Sequence, residues 1–358
     1  MSFKEIRDAC ICAYFLDMID EEELSALLTY YDSGNKDLEL WSHVQFSLEN
    51  YNEDECDVFF RFQKHHIYRL AALLQLPPFV ATSHNVRVPA VEALCMLLRR
   101  YASPCRLSDL LPIFGRNVPT ICVTVLSVTQ HIYTRWSHLM ETFNQTWLQP
   151  NALEEYAAAI HEKGAPLRNC WGFIDGTLRP CCRPKVNQRL LYNGHKRTHG
   201  LKFQSIIAPN GLIVNLFGPV EGCRHDSGMI AMSAVMDELR VHSHDTQGNV
   251  LCVYGDQAYQ HTPQLQRPYR DLGFLTNEEV LFNRLMAKVR VSVEWCFGDV
   301  VTYFAYFNYY KNLRIGMSPI GSMYVVSAVL MNARTILYGN LTSNFFEVEP
   351  PSLDEYFS

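Results

Sequence analysis

The sequence predicts an α/β protein in which a mixed sheet is flanked by helices and preceded by an all-helical region. The chain has 358 residues, and 48% of them are apolar, which is enough for a sizeable core and for more than one domain. The first 150 residues show helical periodicity without the alternation typical of strands. Near Asn151 short β-branched and aromatic runs begin, which indicate strands separated by helices.

The N-terminal region contains three amphipathic runs that predict helices: "EELSALLTYY", "VFFRFQKHHIYRLAALLQL" and "PAVEALCMLLRRYA". Further on, a short helix with Leu110 and Leu111 meets Gly115, and Pro119 lies near the first turn of a second, long helix. This layout is typical of a helix-turn-helix, whose second helix can enter a major groove of DNA. A plain helical hairpin that packs the domain together explains it equally well, because the second helix is rich in Val, Ile and Thr.

The second half contains four runs that predict strands: "CWGFIDGTLRPCC", "LKFQSIIAP", "GLIVNLFGPV" and "VLCVYGD". Asn210-Gly211 predicts a hairpin between the second and third strands. A helix that begins at Asp226 and a final helix from about Asn277 complete the order β-β-β-α-β-α. In this order the ends of the first and fourth strands are neighbours in the sheet. The acidic, proline-containing "EVEPPSLDEYFS" predicts a loose C-terminal tail.

The division that we expect from these patterns has four parts: an acidic helical region (1–84), a helical region resembling a helix-turn-helix (85–150), the sheet domain (151–340) and an acidic C-terminal tail (341–358). Charge is distributed unevenly along them. The chain carries −6 overall, with −12 in residues 1–60 and therefore +6 in the remainder. Residues 183–224 contain seven Lys and Arg against one acid, a density that suits a phosphate backbone, although a solvated loop explains it nearly as well.

The twelve cysteines show neither a CxxC spacing nor a His/Cys quartet of zinc spacing. Many lie inside apolar runs, so we expect reduced, buried thiols, as in a nuclear or cytosolic protein. The apolar run from Met323 to Met331 is too short to cross a bilayer, and we expect a soluble protein.

Four acidic residues lie next to apolar runs or glycine, and each has an ordinary structural explanation. Asp175 closes the first strand, where Asp-Gly is also a common hairpin turn. Asp226 precedes an apolar helix, where it could serve as its N-cap. Asp256 follows the fourth strand, and ligands gather at such strand ends. Glu294 lies within the last helix among apolar neighbours, where it could pair with Arg290.

Together the four carboxylates predict a metal site. Asp175 and Asp256 would project from neighbouring strand ends into one space, which the last helix crosses. Carboxylates held this close cannot all stay ionised without a countercharge, so we expect a divalent cation with oxygen ligands. Mg²⁺ or Mn²⁺ fits better than Zn²⁺, because no Cys or His completes a tetrahedral set. Two such ions could activate a water and stabilise the leaving oxygen of a phosphodiester.

Several motifs in order resemble the PIF/Harbinger transposases and their domesticated relatives, the harbinger transposase-derived nucleases. They are "GFIDGT", "YNGHKRTHGLKFQSIIAPNGLI", "GCRHDS", "GDQAY" and "NRLMAKVRVSVEWCFG". The resemblance spans about residues 85 to 340. It implies an RNase H-like core with an Asp-Asp-Glu triad, here Asp175, Asp256 and Glu294, with 37 residues between the last two. Asp226, in the "HD" element, is a fourth candidate metal ligand.

The resemblance therefore implies a DNA endonuclease or transposase that uses Mg²⁺ or Mn²⁺. The residues that we predict to contact DNA are basic: Arg183, Lys185, Arg189, Lys196, Arg197, Lys202, Arg284, Lys288 and Arg290. Double-stranded DNA is the expected partner, with a Myb-like DNA-binding protein and a second copy of the chain as further candidates, and the nucleus is the expected location. The alternative is a domesticated, catalytically silent DNA-binding or adaptor protein that retains the fold.

Overall fold

The computed structural model describes residues 3–32, 43–81, 87–271, 273–315 and 319–358. The chain divides into two compact units. Unit 1 comprises Met1–Arg135, Pro180–Val186 and Val301–Ser327, and unit 2 comprises Trp136–Arg179, Asn187–Val300 and Ala328–Ser358. The domain boundaries expected at residues 84, 150 and 340 stay predictions, and part of the acidic region, including residues 33–42, lies outside the described residues.

The first part of the chain is mainly helical. Its elements are α1 (Phe3–Phe15), α2 (Glu21–Asp32), α3 (Glu53–Phe60), α4 (Lys64–Leu73), β1 (Phe79–Ala81), β2 (Arg87–Pro89), α5 (Ala90–Ala102), α6 (Leu111–Phe114) and α7 (Val118–Trp136). The predicted N-terminal helical region is confirmed, and it also contains one short antiparallel ladder, in which β1 pairs with β2. The long run beginning at Val58 is not one helix: Arg61 adopts a left-handed conformation with φ of 69° and ends α3, which interrupts the helical hydrogen bonds.

The structure contains the two helical segments and the turn that the predicted helix-turn-helix requires. A 3₁₀ turn (Leu107–Leu110) with α6 meets α7 at an angle of 95°, within the range of such motifs. Gly115, at φ of 60°, makes the turn. A recognition helix presents the residues of its N-terminal turns to DNA, yet residues 121–126 of α7 are all buried. The burial favours the alternative in which these helices pack the domain together.

The remaining elements follow α7 in the chain. They are α8 (Pro150–Glu162), β3 (Cys170–Pro180), α9 (Gln188–Leu191), β4 (Tyr192–Asn193), β5 (Thr198–Ile207), β6 (Ile213–Glu221), α10 (Asp226–Met232), α11 (Val235–His242), β7 (Cys252–Tyr254), β8 (Leu265–Gln266), α12 (Asn277–Arg290), α13 (Ser292–Tyr303), α14 (Ile320–Tyr338), α15 (Leu341–Phe346) and α16 (Leu353–Tyr356). The helix predicted from Asp226 is thus two short helices, and the final helix is α12 followed by α13.

Within the described residues, the main sheet has the strand order β4-β5-β3-β7-β8, with β6 paired to β5. The β5–β6 pair is antiparallel and the β3–β7 pair is parallel, so the sheet is mixed. The predicted turn between β5 and β6 is present, with Gly211 at φ of 80°. The apolar residues of β3, Trp171, Phe173 and Ile174, are buried. The predicted fold class, a mixed sheet flanked by helices and consistent with an RNase H-like arrangement, is confirmed.

Two expectations for the C-terminal part are wrong. The last residues are not loose, because Leu353, Tyr356 and Phe357 are buried in the fold. The apolar run around Met323 belongs to α14, which has 19 residues and is long and apolar enough to cross a membrane. However, 78% of its most apolar window is buried inside the protein, as in the core helix of a globular fold.

We expect Gly115→Ala to lower the free energy of unfolding by at least about 2 kcal/mol. An alanine Cβ would lie 1.8 Å from the carbonyl oxygen of Val44, and φ is +60°. Denaturant unfolding measures the effect. Gly164→Ala is the matched control, because Gly164 also has a positive φ, of 98°, but has no atom within 4 Å of the added Cβ. Equal losses in the two variants would contradict a steric role for Gly115.

Candidate active site

Asp175 lies inside β3 at the point where the pairing with β7 has ended. The last matched pair of these parallel strands is Phe173 with Tyr254, and β3 continues to Pro180. Asp175 and Gly176 are therefore strand residues, and the interpretation of Asp-Gly as a hairpin turn is wrong. The Oδ1 atom of Asp175 accepts a hydrogen bond of 2.9 Å from the N–H of Gly176.

Asp256 follows the neighbouring strand, β7. It lies two residues beyond Tyr254, as Asp175 lies two residues beyond Phe173, so the two carboxylates leave the same end of two parallel neighbours. The Oδ1 atom of Asp256 accepts a hydrogen bond of 2.9 Å from the N–H of Ala258, which holds the side chain at the start of its loop. The expected meeting of the two strand ends is therefore observed.

Burial and three neighbouring groups act on the pKa of the carboxyl group of Asp175. Burial raises its pKa, the guanidinium of Arg290 and the N–H of Gly176 lower it, and the charge of Asp256 raises it further. The net shift is upward, because burial has the largest effect. Arg290 Nη1 lies 3.1 Å from Asp175 Oδ2, so this arginine pairs with Asp175 across the site rather than with Glu294.

Asp226 lies in the first turn of α10, where His225 is the N-cap residue. It therefore does not cap the helix. Its Oδ1 atom accepts a hydrogen bond of 2.7 Å from the ammonium group of Lys202, which also donates to the carbonyl oxygen of Arg224 at 3.0 Å. A Cβ at Gly176 would lie only 2.3 Å from this oxygen. A side chain at position 176 would therefore displace the carboxylate of Asp226.

Glu294 does not lie where the sequence suggests. Val291 separates α12 from α13, so Glu294 is in the first turn of α13, and its side chain is exposed. In the described part of the chain, no three His, Cys, Asp or Glu residues are grouped closely enough to hold a metal ion. The structure places Asp175 and Asp256 at the same end of two adjacent strands, and the three-carboxylate site stays a prediction.

Tyr259 is a buried part of the site that the sequence does not predict. Only 1% of the residue is exposed, and its ring covers Gly255, where an added Cβ would lie 2.5 Å from the Cδ2 atom. Burial and the nearby charges of Asp226, Asp175 and Asp256 raise the pKa of its phenol well above the usual value. The hydroxyl has no hydrogen-bond partner among the described residues. A buried donor that faces carboxylates without a partner is costly.

The basic residues predicted to contact DNA fall into two groups. Two of them have partners at the acidic site: Lys202 is buried and bonded to Asp226, and Arg290 is paired with Asp175. The buried position of Lys202 is a correction to the sequence-based assignment, because its ammonium group is held inside the fold. The other side chains are exposed: Arg183, Lys185, Arg189, Lys196, Arg197, Arg284 and Lys288.

The pair of Asp175 and Asp256 has the donor chemistry that a divalent cation prefers. Both offer carboxylate oxygens, and the charge of Asp256 raises the pKa of Asp175, a repulsion that a bound cation would relieve. Arg290 already supplies positive charge at this position. These two carboxylates therefore fit a cation, whereas Asp226 has its own buried countercharge in Lys202.

We expect Asp175→Asn to raise the free energy of unfolding at pH 7 in the presence of EDTA. The pKa of Asp175 is higher in the folded chain than in the unfolded one, so its stabilisation is present at low pH and is lost as the pH rises through the folded-state pKa. Asparagine carries no charge, so the variant does not lose this stability as the pH rises. The difference in the free energy of unfolding between the variant and wild type should therefore shrink as the pH falls. Urea unfolding across pH measures it.

Asp237→Asn is the control, because Asp237 is exposed and forms only a surface ion pair with Arg240. Its substitution should leave the pH profile unchanged. If Asp175→Asn were less stable than wild type at pH 7, the ion pair with Arg290 rather than burial would dominate.

Comparison with known families gives a match over the part of the chain that contains these carboxylates. Residues 174–332 match the family model described as DDE superfamily endonuclease, a range that includes Asp175, Asp226, Asp256 and Glu294. No match is found among curated proteins or solved structures. Over these residues, somewhat less than half of the chain, the protein is similar to the DDE superfamily endonucleases.

Proposed function

We propose that the protein is a divalent-metal-dependent DNA endonuclease that hydrolyses phosphodiester bonds. The observation that carries the proposal is the parallel pairing of β3 with β7, which brings Asp175 and Asp256 to one place inside the range similar to the DDE superfamily endonucleases. Repelling carboxylates at the ends of adjacent strands are a costly arrangement for stability alone. A bound cation would offset this repulsion.

In this proposal Asp175 and Asp256 hold Mg²⁺ or Mn²⁺, with Glu294 as the third ligand. A bound ion of this kind lowers the pKa of a water and stabilises charge on the leaving oxygen of a phosphodiester. The chain's own residues do the positioning. Arg290 lies against Asp175 and could hold a phosphate oxygen, while Lys202 keeps Asp226 fixed beside Gly176.

The finer assignment within the family rests on the ordered motifs from "GFIDGT" to "EWCFG", which resemble the PIF/Harbinger group. On that basis we propose double-stranded DNA as the substrate and the nucleus as the location, with import through a Myb-like partner. Exposed basic side chains such as Arg189, Lys196 and Arg284 support contacts with a phosphate backbone. Assembly of two copies on DNA is part of the same proposal.

One observation favours the alternative of a silent DNA-binding or adaptor protein. Glu294 is exposed, and within the described residues no three carboxylates are grouped for a metal. If the chain retains only the fold, it should bind duplex DNA in a salt-dependent manner without cutting it. Nicking assays therefore separate the two functions.

We expect Asp175→Asn, Asp256→Asn and Glu294→Gln each to lower Mg²⁺-dependent plasmid nicking by about 100-fold or more, since a metal ligand supplies several kcal/mol of transition-state stabilisation. Supercoiled plasmid is incubated with Mg²⁺, Mn²⁺ or EDTA, and the circular dichroism spectrum of each variant reports the fold.

Glu278→Gln is the matched control for Glu294, because both are exposed glutamates in the first turn of a helix. The control should nick like wild type. Full nicking by Glu294→Gln would remove that residue from the site but leave the aspartate pair, whereas full nicking by Asp256→Asn would refute the endonuclease proposal itself.

We expect Tyr259→Phe to lower nicking by about tenfold, because the hydroxyl would donate a hydrogen bond to an oxygen bound near the carboxylates. The free energy of unfolding should rise rather than fall, since the buried hydroxyl has no hydrogen-bond partner among the described residues. Tyr254→Phe is the control, because it removes another buried hydroxyl, at the end of β7, that has no hydrogen-bond partner among the described residues. Equal losses of activity in both variants would assign the effect to packing rather than to the hydroxyl of Tyr259.

A further inference from the structure

Unit 1 contains a cavity of about 490 Å³ that no part of the proposed catalytic site uses. It lies between α1, the end of α5, the 3₁₀ turn before α6, the start of α7 and the segment 306–312. Its volume is within the range of small-molecule sites. Basic side chains dominate the charged part of its wall.

The positive charge of this wall is not balanced. Asp8, which is 3% exposed, is neutralised by Arg7 and by Arg314, whose Nη1 atom lies 3.6 Å from Asp8 Oδ2. Arg100, Arg106 and Lys311 also line the cavity. Among the described residues these three form no ion pair with a carboxylate. The cavity therefore has an excess of cations.

One of these cations, Arg100, is buried, since only 8% of the residue is exposed. It donates a hydrogen bond to the carbonyl oxygen of Cys105, and its guanidinium carbon lies 4.7 Å from the centre of the Tyr306 ring. These contacts orient the guanidinium but do not neutralise it. A buried charge without a counterion is expensive for a fold, so an anion in the cavity would offset that cost.

The donors at the wall also indicate which anion. Arg106 and Lys311 are exposed at its rim, and the Nδ2 atom of Asn312 is a buried donor with no partner among the described residues. Guanidinium, ammonium and amide donors around one space suit the several oxygens of a phosphate. The cavity is larger than a phosphate, and the rings of Tyr306 and Tyr309 in its wall suit an attached organic group.

We propose that this cavity binds a phosphate ester through Arg100, Arg106 and Lys311. The inference goes beyond the endonuclease proposal and does not depend on it, because none of the four predicted metal ligands lines the cavity. The ester could be a small phosphorylated compound or a phosphodiester of a DNA strand, since both offer the same oxygens.

The test measures binding of inorganic phosphate and of a nucleoside monophosphate to the full-length chain by calorimetry, at constant ionic strength and in EDTA. We expect saturable binding that Arg106→Gln and Lys311→Gln each weaken by about tenfold, the effect of losing one charge-assisted hydrogen bond. Both side chains are exposed, so the variants should fold. Arg87→Gln, an exposed cation of the same unit that does not line the cavity, should bind like wild type.

A short single-stranded oligonucleotide without terminal phosphates distinguishes a small phosphorylated compound from a DNA phosphodiester as the ligand. If it displaces the bound monophosphate from wild type, the site takes a DNA phosphodiester; if it does not, the site takes a phosphate monoester. Absence of saturable binding by any of these probes, or equal affinity in wild type, Arg106→Gln and Lys311→Gln, would overturn the proposal. Nicking activity plays no part in the readout, so the proposed function is tested separately.

Discussion

The parallel pairing of β3 with β7 is the constraint on which the candidate active site depends. It aligns Phe173 with Tyr254 and so places Asp175 and Asp256 at the same end of two adjacent strands. A crossover through α10 and α11 is what makes the two strands parallel, because a short hairpin would have made them antiparallel. The repulsion between the two carboxylates is therefore a consequence of the strand order.

Each carboxylate of the site is compensated differently. Arg290 offsets part of the burial of Asp175, whereas Asp226 is bonded to the buried ammonium of Lys202 and presses against Gly176. The pKa of Asp175 therefore stays above its usual value, and its partner Arg290 lies at the end of α12. The contacts of Asp226 fix α10 against β3. The contacts with Lys202 and Gly176 thus hold the carboxylate of Asp226 in one position.

Unit 1 shows that burial has different consequences for apolar and for charged side chains. The second helix of the helix-turn-helix layout is apolar and buried over residues 121–126, so it contributes to the core rather than to a DNA contact. Arg100, by contrast, is buried as a charge, and its nearest aromatic and carbonyl contacts do not neutralise it. The proposed phosphate site of this unit therefore depends on its cations, whereas the long helix contributes to the core.

By itself, the sequence determined the fold class, the order of four strands along the chain and the neighbouring ends of the first and fourth of them, because hydrophobic period and turn residues are local properties and the rule for crossovers is general. Only the tertiary structure decided what faces the carboxylates of the candidate active site. The partners of Asp175 and Asp226 lie 115 and 24 residues away in the chain, and a break at Val291 puts Glu294 in the first turn of α13. Pairing across such separations depends on packing, which periodicity does not encode.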